Sequence, residues 1–369
     1  MRDKINISLL VILVLAGLFT LSSFFGIKLK KSEVTAAGTD YYVSPAGNDK
    51  NNGKEKSLPF KRIQTALKEA RPGDTVNLLS GEYYESFKTV RNGRSSQPIT
   101  ITGAKEAIVK GGDADRVVEI NHSYIRLSGF TIDGKRKEGK KQDDFADKLI
   151  YVLGKKPKKA LKGLKISNME IKNAGGECVR FRYYVQGAEF SNNTVRDCGI
   201  HDFVFKDGGK NGEGLYIGTA PEQRKDGKNP SKGIDKSNKN WIHDNYFETN
   251  GNECVDIKEG SSGNLVERNR CTGQKDPESG GLDSRGNSNI FRDNEVYDNL
   301  GAGVRLGGDS FKDGTKNTVR NNILRNNRAG AIKIERKPQK EICGNTFDSN
   351  GEKIFFGKYA STQKVISCQ

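Results

Sequence analysis

The chain has 369 residues, of which only 34% are hydrophobic, 43 are glycine, and the formal net charge is +16. That length allows one large domain or two ordinary ones, but the composition excludes a thick apolar core; a solenoid, in which each coil buries one inward row, needs far less. So basic a chain suits a polyanion, and without zinc-finger spacing, a helix-turn-helix signature or an aromatic RNA-binding motif, nucleic acid is set aside in favour of anionic lipid or acidic polysaccharide.

The N-terminus opens with Met1-Arg2-Asp3-Lys4, continues as an apolar run from Leu9 to Ile27, and ends in Lys28-Leu29-Lys30-Lys31. This pattern marks an export signal. Val34-Thr35-Ala36 resembles a small-residue cleavage site, whereas the apolar run is also long enough to remain as an anchor. Residues 1–37 are therefore expected to be a signal peptide or membrane anchor, and 38–369 a single exported domain, secreted or facing outward from a membrane. Arg2, Lys4, Lys28, Lys30 and Lys31 against Asp3 give the leader +4, which leaves +12 for the rest.

Phe60 to Ala70 places Ile63, Ala66, Leu67 and Ala70 on one helical face, and Pro72-Gly73-Asp74 ends it before Thr75-Val76-Asn77-Leu78-Leu79 begins strands. An amphipathic cap helix fits there, because an open solenoid end exposes core and strand edges. The charged stretches 134–148 and 155–162 are expected to be solvated insertions. Beyond them, Asn-x-apolar recurs at Asn168, Asn193, Asn245, Asn269, Asn294, Asn322 and Asn345. One turn per about 25 residues suits three short strands and three bends. The long step from Asn193 to Asn245 is read as two coils, holding a polar insertion from Thr219 to Asn240. The asparagines are expected at a bend, bonding up and down the stack.

A second row fixes the register: Val179-Arg180-Phe181, Leu215-Tyr216-Ile217, Val255-Asp256-Ile257, Leu282-Asp283-Ser284, Val304-Arg305-Leu306 and Ile332-Lys333-Ile334. Period-two alternation turns the flanking residues inward and the middle one outward. The fold class predicted is all-β, a right-handed parallel β-helix with an N-terminal cap helix, acting as a monomer. The six cysteines lack CxxC spacing, so a metal cluster is not expected. Cys271 falls on an inward row as a buried thiol, and Cys343 with Cys368 would tie down the C-terminal end.

Equivalent positions on adjacent coils lie about 4.8 Å apart, and residues i and i+2 about 6.8 Å apart. Asp256, Lys258, Asp283 and Arg285 then form a rectangle, with Tyr216 on one side and Arg305 and Lys333 on the other. Glu177, Glu213 and Glu253 each stand three residues before a middle position, which sets Glu213 beside Glu253. Any one charge would read as part of a surface ion-pair ladder. The whole set suits β-elimination of a uronate-containing polysaccharide. Cations at the carboxylate stabilise the developing charge, a base removes the neighbouring proton, and Glu213, Glu253 and Asp256 offer the oxygens that Ca²⁺ takes. A lysine serves as base if nearby positive charge lowers its pKa.

Tyr41-Tyr42-Val43-Ser44-Pro45, Pro59-Phe60, the cap helix and Pro72-Gly73-Asp74-Thr75-Val76 resemble the opening of secreted pectin-lyase-like β-helix proteins. The stretch Asn252-Glu253-Cys254-Val255-Asp256-Ile257-Lys258-Glu259-Gly260 resembles the segment of polysaccharide lyase family six, the family of alginate lyases and chondroitinase B. Ser284-Arg285-Gly286-Asn287 resembles that family's arginine turn. The resemblance implies Lys258 as base, Arg285 as acid or charge stabiliser, and Glu253 and Glu213 as calcium ligands. Asp256-Ile257-Lys258 is similar to family nine pectate lyases, which points to the same lysine. Two positions depart from family six: Gly286 stands where histidine is usual, and Gly251 where a second acidic ligand is usual. Tyr216, Asp283, Arg305 and Lys333 are expected to bind substrate.

Three rivals stand beside the lyase. A non-catalytic surface protein could grip anionic glycan. A glycoside hydrolase could use Asp256 and Asp283, about 5 Å apart as in a retaining pair, although Lys258 and Arg285 should hold both ionised. A C5-epimerase shares the proton abstraction. His122, His201 and His243 are too far apart in the register for a three-histidine metal site.

Overall fold

The computed structural model describes residues 38–347 and 353–368; the leader lies outside them. Among the described residues the strands are two to six residues long, and they form three long sheets of 11, 10 and 10 strands plus a two-stranded one. Every pairing between these strands is parallel, and each sheet takes one strand from successive windings, giving a right-handed parallel β-helix.

The sheet that matters for function contains Val179–Arg182, Leu215–Ile217, Val255–Ile257, Gly280–Ser284, Ala302–Leu306 and Gly330–Ile334. Arg180, Tyr216, Asp256, Asp283, Arg305 and Lys333 follow one another across it as direct neighbours. Alternation turns the flanking residues inward: Val179, Phe181, Leu215, Ile217, Val255, Ile257, Leu282, Val304, Leu306, Ile332 and Ile334 are all fully buried. Ser284 is the polar exception on this inward row. Its hydroxyl meets Gly286 O at 3.0 Å and Asn317 Oδ1 at 3.1 Å, which makes its burial tolerable.

Asparagine side chains hold the bends. Asn193, Asn245, Asn269, Asn294, Asn322 and Asn345 form a continuous ladder with amide contacts of 2.9–3.1 Å. A second ladder, not anticipated from the sequence, runs through Asn240, Asn264, Asn289 and Asn317. Two expectations need correction here. Asn168 is not on the first ladder: Glu170 pairs with Thr194, so Met169 is the residue opposite Asn193, and Asn168 adopts a left-handed conformation at φ 58°. The step from Asn193 to Asn245 is a single winding, since Thr194 pairs directly with Tyr246. Excursions between strands lengthen that winding without adding a coil.

The cap helix spans Ile63–Glu69, a shorter span than the one expected, and seats Ile63, Ala66 and Leu67 in the core. Three disulfides are present, Cys178–Cys198, Cys254–Cys271 and Cys343–Cys368. The C-terminal tie is as expected. Cys271 is buried as expected, but it is bonded to Cys254 and carries no free thiol.

Asn269 gives the fold a direct test. Its amide nitrogen meets Ile242 O, Glu267 O and Asn294 Oδ1, while its carbonyl accepts from Asn245 N and Nδ2. Asn269→Ala should cost about 3 kcal/mol in urea denaturation, because it leaves buried groups above and below without partners. Arg270→Ala, next in sequence but exposed, should cost under about 1 kcal/mol. Equal losses would mean that the ladder does not carry stability.

Candidate active site

The expected rectangle is formed. Asp256 pairs with Asp283, and Ile257 with Ser284, so Lys258 and Arg285 follow side by side. Lys258 and Arg285 line a cleft of about 320 Å³ together with Glu213, Tyr216, Glu253, Asp283 and Arg305. Lys333 continues the row but does not itself line the cleft; it bonds Glu278 O at 3.0 Å and faces the carboxylate of Glu278, a lining residue, at 3.4 Å.

Excursions between strands build the walls. Glu222 and Gln223 come from the 219–240 insertion, Lys210 from the connection before Leu215, and Asp276 and Ser279 from the connection before Gly280. Lys210 Nζ meets Asp276 Oδ1 at 2.9 Å, joining two of these walls. Gln223 Oε1 accepts from Arg180 at 2.5 Å and from the Tyr216 hydroxyl at 3.2 Å. Arg180 also stacks on the Tyr216 ring, 3.7 Å from its centroid, and bonds Glu177. This end of the cleft was only partly legible. The polar insertion from Thr219 to Asn240 was anticipated, but the Arg180–Glu177–Lys148 network was missed, although the i, i+3 spacing of Glu177 and Arg180 was visible. Burial opposes ionisation of Glu177, but Arg180 and Lys148 overcome it and hold the carboxyl down to about 2.

Glu213, Glu253 and Asp256 present carboxylate oxygens that all lie within 4.8 Å of one another, and all three residues are buried. Burial first, then Glu177 and Asp256, push Glu213 up to about 7 against the pull of Lys258. Burial and the neighbouring Asp256, Glu213 and Asp283 raise Glu253 well above the usual carboxylate range. Ser279 satisfies one Glu253 oxygen, but Glu253 Oε2 and Asp256 Oδ1 have no hydrogen-bond partner. Three crowded carboxylates with orphaned oxygens fit a hard cation, which would satisfy the oxygens and relieve the mutual repulsion.

The two departures from the family pattern have steric causes. A Cβ at Gly251 would lie 2.1 Å from Cys198 O, so no acidic side chain can grow from that position. A Cβ at Gly286 would lie 2.0 Å from Ser261 O, which excludes the usual histidine.

The cations are not free. Lys258 Nζ lies 2.6 Å from Asp256 Oδ2 and 4.7 Å from the Tyr216 ring centroid. Burial would lower its ammonium pKa, but Asp256, Tyr216 and Glu253 together hold it well above the usual lysine range. The expected lowering by neighbouring positive charge is therefore overturned, because these groups outweigh Arg285. Arg285 lies 3.6 Å from Glu259 and 3.2 Å from Asp309. Asp283 and Arg305 bond each other at 2.9 and 3.1 Å, and both line the cleft. Asp283 was also expected to be held ionised. Burial first, and then Asp256, raise it despite Arg305 and Arg285. The cleft lining has six carboxyl groups (Glu213, Glu222, Glu253, Asp276, Glu278, Asp283) against four cations (Lys210, Lys258, Arg285, Arg305), and with Glu213 and Glu253 held toward their protonated forms the two signs nearly balance there.

A model described as "Right handed beta helix region" matches residues 225–368, and one described as "Protein of unknown function (DUF1565)" matches residues 45–218. Uncharacterized protein YwoF of Bacillus subtilis (strain 168) is 32% identical over 131 residues, which are 32% of this chain and 28% of that protein. The chain thus matches little more than a quarter of that curated relative's length. Among solved structures, an alginate lyase from Paenibacillus sp. str. FPU-7 superposes with a TM-score of 0.65 at 21% identity, covering 83% of this chain and 96% of that one. A mannuronic acid specific polysaccharide family 6 lyase from human gut microbiota gives 0.51 at 16% identity, covering 85% and 77%. The Dettilon tailspike protein gives 0.55 at 13%, covering 84% and 56%. At these identities the likeness is one of fold, and the chain shares the right-handed parallel β-helix with these proteins.

Proposed function

We propose that the cleft cleaves a carboxylated, uronate-containing polysaccharide by β-elimination, with calcium held by Glu213, Glu253 and Asp256. One observation carries this reading: two adjacent cations, Lys258 and Arg285, stand over a buried carboxylate trio with orphaned oxygens. A cation held by the trio would serve a second purpose, because the cleft's acids offset its own cations and a uronate needs positive charge to enter. The likeness in fold to an alginate lyase and a mannuronic acid specific lyase accords with the substrate class.

Calcium, when bound, would supply the charge that binds the uronate carboxylate and acidifies the neighbouring carbon. Lys258 is the base. Its proton is held by Asp256 while that carboxylate has no other partner, and engaging Asp256 as a ligand loosens the hold while Arg285 disfavours a second positive charge. Nearby carboxylates raise Arg285 above even the usual guanidinium range despite burial, so it acts by fixed charge on the developing anion and not as an acid. The C–H bond breaks toward Lys258, a carbon–carbon double bond forms, and the leaving oxygen takes a proton from the ammonium so formed or from water. Gln223 fixes Tyr216 as a wall beside Lys258.

Hydrolysis is the second reading, because the raised Asp283 beside Asp256 is what a general acid requires. The products separate the two. Elimination leaves an unsaturated uronate that absorbs ultraviolet light, and hydrolysis leaves new reducing ends without it.

Incubated with alginate, polygalacturonate or chondroitin sulfate and calcium, the protein should generate ultraviolet absorbance. Lys258→Ala should lower kcat at least about a hundredfold, as removal of a general base does, with the fold retained by circular dichroism. Full activity in that variant would sink the mechanism, and new reducing ends without absorbance would favour hydrolysis.

The raised carboxylates predict a pH signature. Glu213 in the folded protein keeps its proton up to about 7, whereas an ordinary glutamate at 4.5 has lost it. Between those values the folded state binds more protons than the unfolded one, so this group's contribution to stability falls as pH rises through the window. Calcium should therefore raise Tm strongly at pH 8 and little at pH 5, and Glu253→Gln should blunt that rise. A calcium shift that is equal at both pH values would dissociate the trio from cation binding.

A further inference from the structure

The outer row that carries Asp256 and Tyr216 continues toward the N-terminal end through Arg180, Tyr151, Glu119 and Lys88. The stretch between is covered. Tyr151, Leu153, Tyr183 and Tyr184 form a small apolar cluster on this outer side. The 219–240 insertion is pinned over it by Arg182 to Asp226 at 2.7 Å and by Tyr183 Oη to Ser231 Oγ at 2.8 Å. On the far side of this cover the surface opens again into a cleft of about 550 Å³, larger than the one at Lys258. Four strand spacings separate Glu119 from Asp256, about 19 Å.

The lining of this second cleft reverses the electrostatics of the first. Lys88, Lys155, Lys156 and Lys159 face a single carboxylate, Glu119. That carboxylate is already held by Arg116 at 2.7 Å and lies 3.7 Å from Lys155. The floor is built from defined polar groups. Thr89 Oγ1 accepts from Asn121 N at 3.0 Å and meets His122 Nδ1 at 2.8 Å, which orients the ring and leaves Nε2 for the cleft. Asn121 Nδ2 bonds Glu119, but Asn121 Oδ1 is buried without a partner, and a sugar hydroxyl is the kind of donor that would satisfy it.

We propose that this cleft is a second, non-catalytic binding site for the same carboxylated polysaccharide. Its lysines take the carboxylates, and His122 and Asn121 take hydroxyls. The proposal rests on the substrate class given above but not on the chemistry at Lys258. It also complements the reactive cleft, whose acids offset its cations: the polymer is held first on the basic side of the cover, about 19 Å away along the same face.

Binding measured in EDTA isolates the second site, since the reactive cleft needs its cation. The probe is alginate or polygalacturonate, by affinity electrophoresis and calorimetry on the full chain. The intact protein should bind, the triple variant Lys155→Ala/Lys156→Ala/Lys159→Ala should bind about tenfold more weakly, a change of about 1.4 kcal/mol, and Glu253→Gln should bind unchanged. With calcium present, the triple variant should raise KM for long polymer while leaving kcat, and KM for a trisaccharide, alone. His122→Ala with Asn121→Ala should weaken EDTA-resistant binding without any change in charge at neutral pH, which bulk electrostatics would not produce. Undiminished binding in the triple variant overturns the proposal, as does no effect of the His122 and Asn121 changes, or loss of binding in EDTA by the intact protein. Absence of ultraviolet-absorbing product, with EDTA-resistant binding intact, would defeat the lyase mechanism and leave this site standing.

Discussion

Parallel pairing at a fixed spacing of about 4.8 Å is the constraint from which the rest follows. Each winding must place its residues over those of the one before, so a charge in one coil is obliged to meet whatever stands in the next. Inside, that obligation is met by aliphatic stacks and asparagine ladders, where every layer satisfies the one beneath. Outside, it sets Asp256 on Asp283 and Glu213 near Glu253, contacts that a freely folding surface would avoid. The register is paid for by the core, and the electrostatic tension at the site is its product.

The inward triplets were readable because alternation has a period of two and tolerates little deviation once one side is buried. From Val179 to Ile334 that reasoning placed every outer residue on the correct row, and the trio Glu213, Glu253 and Asp256 came together as expected. Excursions obey no period, so their consequences were harder to read. The enlarged winding between Asn193 and Asn245 looked like two because length alone does not separate a coil from a loop. Asn168 looked like a rung because a left-handed bend selects asparagine as readily as a ladder does. The state of Lys258 was misjudged for a different reason: sequence gives neighbours, but burial and a 2.6 Å approach to Asp256 decide which neighbour dominates.

Charge is distributed along the chain in a way that its total conceals. The +16 belongs to the molecule, yet acids outnumber cations around the cleft that holds Lys258, and lysines outnumber acids around the larger cleft beyond the cover. A long polyanion and a small hard cation would thus be drawn to different parts of one face. The insertion at 219–240 separates these regions, tied down by Arg182 and by Asp235, which accepts from the backbone of Tyr183 and Tyr184.

The cysteine bridges span 20, 17 and 25 residues, each within the length of one winding. Each joins a coil to its neighbour: Cys271 stands beside Phe247 of the coil that carries Cys254, and Gly344 N bonds Ile366 O at 2.8 Å beside Cys343–Cys368, so the bridges add to the backbone bonds and amide ladders that hold the stack. A reductant would consequently remove covalent ties between neighbouring coils and leave the stack to its backbone bonds and amide ladders. The hoop closed by Cys254–Cys271 begins next to Glu253, so opening it would first slacken the backbone that carries the buried carboxylate trio.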